Sequence, residues 1–255
     1  VRPLLIPLPG RMLHDLNGKL TFVPYGQRPE EVIYSVSRPG LNCLLLDAAE
    51  RVGVEILFDH PAVGADFTRG RVMLRDEATQ RTEEIEMHRV FGTDGAGSVL
   101  RRAMVEQLNI NCTEELLEHG YKELTLPARP DGEWCIDKHA LHIWPRGGLM
   151  LIALPNTDGT FTMTLFLSMT GPESFETLTT PAAIEAFFSK HFPEVPQLMP
   201  ELAAEFLRHP TGIMGTVRSQ QWSMADRLLL VGDAAHAITP FHGQGMNCCF
   251  EDCRE

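Results

Sequence analysis

The chain has 255 residues, 44% of them hydrophobic, and a formal charge of -12. That composition excludes disorder as the default, and the acid surplus, with no block of Lys or Arg, speaks against a nucleic-acid or anionic-membrane surface. No apolar run approaches the roughly 20 residues that cross a bilayer. The six cysteines (Cys43, Cys112, Cys135, Cys248, Cys249 and Cys253) lack paired metal spacing and point to a reduced compartment, with Cys248 and Cys249 read as small residues packed on a helix. Small molecules are the expected partners. Val1-Arg2-Pro3 has no initiator Met and no signal pattern, and residues 250–255 break off without a helix stop, so both ends are expected to be cut from a longer chain.

Residues 31–37 alternate and are β-branched, which predicts a strand, and 38–51 has helical apolar spacing ended by Gly53. Residues 54–58 read as the next strand, completing a βαβ unit. Next come a hairpin from 71–75 and 82–88, an apolar strand at Val90-Phe91, a turn over 92–97 and a helix over 98–107. From Gly120 the pattern changes to polar-apolar alternation, predicting strands over 121–126, 141–144, 149–154 and 160–167 and hence an antiparallel sheet. Helices over 181–191, with Pro at the first turn, and 202–207 follow, and 212–218 reads as a strand. The order implies an α/β fold with an inserted antiparallel β-sheet domain, an α+β arrangement.

Two turns carry chemistry. Asp94-Gly95-Ala96-Gly97-Ser98 sits between an apolar strand and a helix. It is open to two readings, a tight turn with an N-cap or a helix N-terminus aimed at phosphate and ribose oxygens. Gly232-Asp233 ends the apolar strand from Leu228, and its carboxylate either closes a structural turn or accepts from a ribitol or ribose hydroxyl. The pair is more specific than either member. His236 reads as filling space after the Gly-Asp turn, and His142 with Trp144 as packing on one strand face.

Phe91-Gly-Thr-Asp-Gly-Ala-Gly-Ser-Val-Leu-Arg101, Leu229-Leu-Val-Gly-Asp-Ala-Ala-His-Ala237 and Pro240-Phe-His-Gly-Gln-Gly-Met-Asn247 resemble the Asp-Gly and Gly-Asp motifs of single-component aromatic-ring flavin monooxygenases. Met12-Leu-His14, Pro24-Tyr-Gly26, Ser35-Val-Ser-Arg38, His142-Ile-Trp-Pro-Arg146 and Phe250-Glu-Asp-Cys253 extend the resemblance, toward members that hydroxylate an aromatic amino acid, over essentially the whole chain. The resemblance implies FAD as cofactor, NADPH and O2 as co-substrates, and no catalytic side chain or metal. It assigns residues 26–115 and 213–255 to the FAD-binding domain, and 1–25 with 116–212 to the substrate domain.

By the same resemblance, Arg11 pairs with a substrate carboxylate and Tyr25 donates a hydrogen bond to it, while Pro240 and Phe241 flank the reacting ring. Outside the resemblance, Arg11 reads as a solvated arginine and Tyr25 as a loop aromatic. Arg38 is implied as a flavin contact, Ala62 as a backbone neighbour of it, Asp94 as a cofactor contact and Asp233 as a ligand of the ribityl or pyrophosphate region. Gly245, Met246 and Asn247 would present backbone to the isoalloxazine ring. His242 stands where the family pattern has a second Phe. Location is expected to be cytoplasmic for a bacterial parent and the mitochondrial outer membrane for a eukaryotic one.

The Gly-x-Gly-x-x-Gly fingerprint of the family's first strand-to-helix turn does not occur in this sequence. The expected FAD domain therefore lacks its first βαβ unit, and the chain is expected to bind FAD weakly or not at all. Two other readings stay open: a flavin monooxygenase acting on a different aromatic acid, and a non-catalytic truncated α/β module.

Overall fold

The structure, a computed structural model, describes residues 2–255 except for the side chain of His242, so the consequence of the Phe-to-His departure lies outside the described residues. The chain forms two compact units, one made of residues up to Glu55 and Glu118–Ile213, the other of Ile56–Leu117 and Met214–Glu255.

The first unit opens with β1 (Leu5–Leu8), β2 (Gly10–His14), β3 (Leu20–Pro24), β4 (Ile33–Val36) and α1 (Arg38–Arg51). α1 starts where the sequence says: the Ser37 hydroxyl accepts from Gly40 N–H at 3.2 Å, Pro39 occupies the first turn, and Gly53 lies just past the end at φ 86°. The chain then enters the second unit with β5 (Ala62–Asp66), β6 (Arg71–Arg75), β7 (Thr82–Glu86), β8 (Val90–Gly92) and α2 (Val99–Leu108). The long β9 (Cys112–Leu126) carries it back into the first unit, which is completed by β10 (Ala140–Pro145), β11 (Met150–Pro155), β12 (Phe161–Ser168), α3 (Pro181–His191), α4 (Val195–Leu198) and α5 (Leu202–Arg208). Last come β13 (Gly212–Ser219), β14 (Ser223–Met224), β15 (Leu228–Leu230), α6 (Asp233–His236) and α7 (Gly245–Asp252).

The first unit is built on the strands β9-β12-β11-β10-β2-β3 of one sheet, in that order. Alternate residues of β9 to β12 (Leu124, Leu126, Leu151, Met163 and Leu165 among them) pack with Ile184, Phe188, Phe192 and Phe206 of the helical segment, because period-2 apolar positions share one face. The second unit has a smaller core of short side chains, including Ala65, Val72, Leu100, Met104, Leu230, Ala234 and Ala235. The chain is thus a mixed α/β protein with several sheets, as its sequence suggests.

Three expectations change. Residues 54–58 are not a strand, and β4 pairs antiparallel with β1, so no βαβ unit forms around α1. A strand is stable only with a ladder partner, none pairs with 54–58 among the described residues, and Val54, Leu57 and Phe58 are exposed. The large sheet is mixed rather than antiparallel, since β2 pairs parallel with β10 (Met12 opposite His142). β9 begins at Cys112 rather than 121, and β5, with its weak Ala-Val-Gly-Ala sequence, is a strand because it pairs with β6 across a bulge. No helix among the described residues is long and apolar enough to cross a membrane.

Candidate functional site

In the second unit, β8 and β15 are adjacent and parallel, with Leu230 opposite Gly92, and Val231 N–H donates to the Gly92 carbonyl at 2.9 Å. Asp94 and Asp233 therefore emerge from the C-terminal ends of neighbouring parallel strands, where α/β folds place ligands. Gly92 permits that closeness: a Cβ there would sit 2.9 Å from Leu230. Asp94 proves to be a cap, its Oδ2 accepting from Val99 N–H at 2.7 Å and Leu100 N–H at 3.3 Å, while the Ser98 hydroxyl accepts from Arg101 N–H at 2.9 Å. Its negative charge suits the positive end of α2.

Arg101, almost wholly buried, fastens the two turns together. Its Nη1 donates to the Ala234 carbonyl at 2.8 Å, its Nη2 to the Ala96 carbonyl, and Glu114 Oε1 balances the charge at 2.7 Å. Five donors in a rigid fork make arginine suited to this bridging.

Gly232 has φ 63° and ψ -139°, a region closed to side chains, and a Cβ there would lie 2.6 Å from Cys249 Sγ. Asp233 follows, half-buried, as the first residue of α6. The turn at Pro240–His242 leads through Gly243, at φ 62°, to α7. A Cβ on Gly243 would meet nothing within 4 Å, and one on Gly245 only Asp233 Oδ1 at 4.0 Å. The result is an open stretch of backbone beside a carboxylate, with Pro240, Phe241, Met246 and Asn247 exposed along it. Those residues fit a cofactor with a flat apolar ring and hydroxyl or polar edges: backbone donors at a helix start, an acceptor for hydroxyls and apolar side chains for the ring.

The same turn holds a second arrangement, behind the glycines. His236 Nε2 lies 2.7 Å from Asp252 Oδ2, which also accepts from Gly232 N–H at 2.8 Å, and His236 Nδ1 lies 3.8 Å from Cys248 Sγ. The Trp222 ring packs on the imidazole at 4.8 Å. His236 is thus more than filler.

In the first unit, Arg11 stands on β2 with its guanidinium 5.2 Å from the Tyr25 ring centre. No carboxylate among the described residues lies within ion-pair distance of it. Burial pushes the Tyr25 hydroxyl above its ordinary value, against the pull of Arg11, so the phenol is a neutral donor beside a fixed cation. That combination suits a carboxylate. Arg38, by contrast, is exposed at the first turn of α1 and pairs with Glu123 at 3.7 Å. Ala62, in the second unit, opens β5 opposite Leu74.

Residues 14, 142, 144 and 194 form a buried polar network in the same unit. His142 Nε2–H donates to the Asp137 carbonyl at 2.7 Å, the two imidazoles meet at 2.8 Å, and Trp144 Nε1–H donates to Glu194 Oε1 at 2.5 Å. The His14 ring stacks on Trp144 at 4.0 Å and lies 3.3 Å from the same Glu194 oxygen. Burial, then the neighbouring His142, pulls His14 down to about 4 despite Glu194, so near neutral pH both imidazoles are uncharged.

The structure therefore gathers Asp233, Gly245, Met246 and Asn247 in one turn of the second unit, and Arg11 with Tyr25 in the first. Sequence reasoning missed Arg101 and Asp252. A basic residue three past the Ser98 cap, and a carboxylate one turn beyond Cys248, are the only signals for them. A cavity of about 630 Å³, lined by Leu108, Asn109, Ile110, Asn111, Gln220 and Gln221, holds none of the candidate residues.

Residues 20–255 match a family model described as an FAD binding domain. The chain is 49% identical over 249 residues to the kynurenine 3-monooxygenase of Myxococcus xanthus (strain DK1622), covering 97% of this chain and 54% of that one. It is 46% identical over 244 residues to the kynurenine 3-monooxygenase of Xanthomonas axonopodis pv. citri (strain 306), again covering 54% of it. The chain thus spans about half the length of the curated relatives it matches. Among solved structures it is similar in fold to 2-methyl-3-hydroxypyridine-5-carboxylic acid oxygenase (TM-score 0.72, 21% identity, 97% of this chain and 62% of that one). It is also similar to Klebsiella pneumoniae HpxO complexed with FAD and uric acid (TM-score 0.66, 18% identity, 96% and 61%).

Proposed function

This chain belongs to the FAD binding domain family, and from that premise we propose that it forms part of a kynurenine 3-monooxygenase. The reaction is the NADPH- and O2-dependent hydroxylation of L-kynurenine to 3-hydroxykynurenine, a step of tryptophan breakdown. The observation that carries the reading is the 44–49% identity to curated kynurenine 3-monooxygenases over 96–97% of the chain. The geometry of the two clusters supports it.

Bound flavin supplies the redox chemistry, accepting hydride from NADPH and activating O2. This chain's residues bind and orient. Asp233 would accept from the hydroxyls of a bound flavin's side chain, and the open backbone of Gly245, Met246 and Asn247 would hold its ring. Asp94, which holds α2 with one oxygen, would offer the other to the cofactor, and Ala62 of the same unit would add a backbone contact. Arg11 grips the substrate carboxylate and Tyr25 donates to it, a bidentate cation beside a neutral donor. Pro240 and Phe241, exposed in the second unit, would offer apolar surface to an aromatic ring.

The test is NADPH oxidation by a purified polypeptide of the relatives' full length. L-Kynurenine stimulates it and hydroxybenzoates do not; stimulation by a hydroxybenzoate alone overturns the assignment. In the same assay Arg11→Met raises KM for kynurenine by about 100-fold, the loss of a charge-assisted bidentate contact. A flavin absorbance titration of the 255-residue chain itself shows weak binding or none, since it has no Gly-x-Gly-x-x-Gly turn for the adenosine half.

A further inference from the structure

We infer that Cys248 is a nucleophilic thiol, activated by His236 and Asp252, that reacts with peroxide-class oxidants and with alkylating electrophiles. Nothing in this inference depends on the flavin reading above.

The arrangement has the three parts that activate a nucleophile: a sulfur, a base within reach of it, and a group that orients the base. The Asp252 carboxylate is itself fixed, because Oδ2 accepts from Gly232 N–H at 2.8 Å as well as facing His236 Nε2 at 2.7 Å. A carboxylate can only accept, so the imidazole proton sits on Nε2 and the bare lone pair of Nδ1 faces Cys248 Sγ at 3.8 Å. Trp222 packs on the ring and steadies it. Cys248 is half-buried, so small reagents reach it.

The adjacent Cys249 supplies the contrast. Its sulfur packs on Gly232 and points to Asp233 Oδ1 at 4.0 Å, and burial, followed by the acidic neighbours Asp233 and Asp252 and by Cys248, pushes its thiol up. One cysteine of the pair faces a base, and the other faces an acid. His236 and Asp252 cluster with Cys248, their ligand atoms all within 4.8 Å of one another, whereas Asp233, Asp252 and Cys248 act on Cys249.

With hydrogen peroxide the step balances. Cys248 S–H gives its proton to His236 Nδ1 and the sulfur attacks one peroxide oxygen. The S–O bond forms as the O–O bond breaks, and the departing hydroxide takes the proton from the imidazolium to leave water. Sulfur is oxidised to the sulfenic acid, and peroxide is reduced.

The test uses the full chain, treated with chelator and then with substoichiometric iodoacetamide at pH 7, with each cysteine quantified by peptide mass spectrometry. Cys248 is alkylated about tenfold faster than the exposed Cys253, less than the roughly 100-fold at which a positioned base's contribution begins, because half-burial slows reagent access. A dimedone trap after hydrogen peroxide labels Cys248 first. A Cys248 rate at or below those of Cys253 and Cys43 in the unmodified protein overturns the inference, whatever the variants do. His236→Gln brings Cys248 down to the rate of Cys253 while leaving Cys253 and Cys43 unchanged, and Asp252→Asn slows it in the same sense. Fast labelling that persists in both variants also overturns it.

Discussion

Each unit contains a histidine set between a tryptophan and a carboxylate, yet the two sets do different things. His14 stacks on the fully buried Trp144, meets Glu194 at 3.3 Å and is bonded to a second buried imidazole. His236 packs on Trp222, which is 43% exposed, meets Asp252 at 2.7 Å and has a thiol as its third neighbour. Burial decides between them. In the first unit desolvation outweighs the carboxylate and holds the imidazole neutral, so the network orders a core. In the second the ring is reachable and its free nitrogen points at a group that can react. A His beside a carboxylate is therefore no signature of function until its exposure and third partner are known.

The largest effect that sharpens this contrast is loss of the buried ring. Trp144→Ala costs about 4 kcal/mol, as for other large aromatics removed from packed cores, and strands Glu194 without its indole donor. Urea denaturation measures it, and a cost under about 1 kcal/mol would mean that the network does not order the core.

A smaller effect comes from pH. The folded pKa of His14 lies at about 4, below its ordinary 6.5, so the unfolded chain binds more protons between those values. Stability from this group is complete above pH 6.5 and is lost as pH falls toward 4. By pH 5 the loss reaches about 2 kcal/mol. Urea midpoints at pH 7.5 and 5.0 report it, and His14→Gln flattens the difference; an unchanged slope in that variant would assign the acid sensitivity elsewhere. The smallest effect belongs to the other unit, where Trp222→Ala costs less than about 1 kcal/mol because the ring already meets solvent.

Much of the fold was legible along the chain. α1 and α3 begin where Ser37 and Thr180 can cap and Pro39 and Pro181 can sit in the first turn. The strands of the large sheet were readable because one face is buried and the side chains alternate. Residues 54–58 misled because β-branching measures fit to a sheet and cannot supply the partner strand. Of the candidate site, the Gly-Asp turn was legible through Gly232 and Gly243, whose positive φ only glycine adopts freely. Arg101 was not, because its partners at Ala96, Glu114 and Ala234 come from separate elements.

What the sequence determined by itself is therefore local: caps, alternation, the two Asp-bearing turns, and a resemblance strong enough to point to a flavin enzyme. Only the tertiary structure decided which side chains meet. It paired β2 with β10 in parallel, bridged the two turns through one buried guanidinium, and set one histidine against a second imidazole and another against a thiol. The physical reason is that periodicity and capping act within a few residues, whereas a proton's position depends on burial and on partners far apart in the chain.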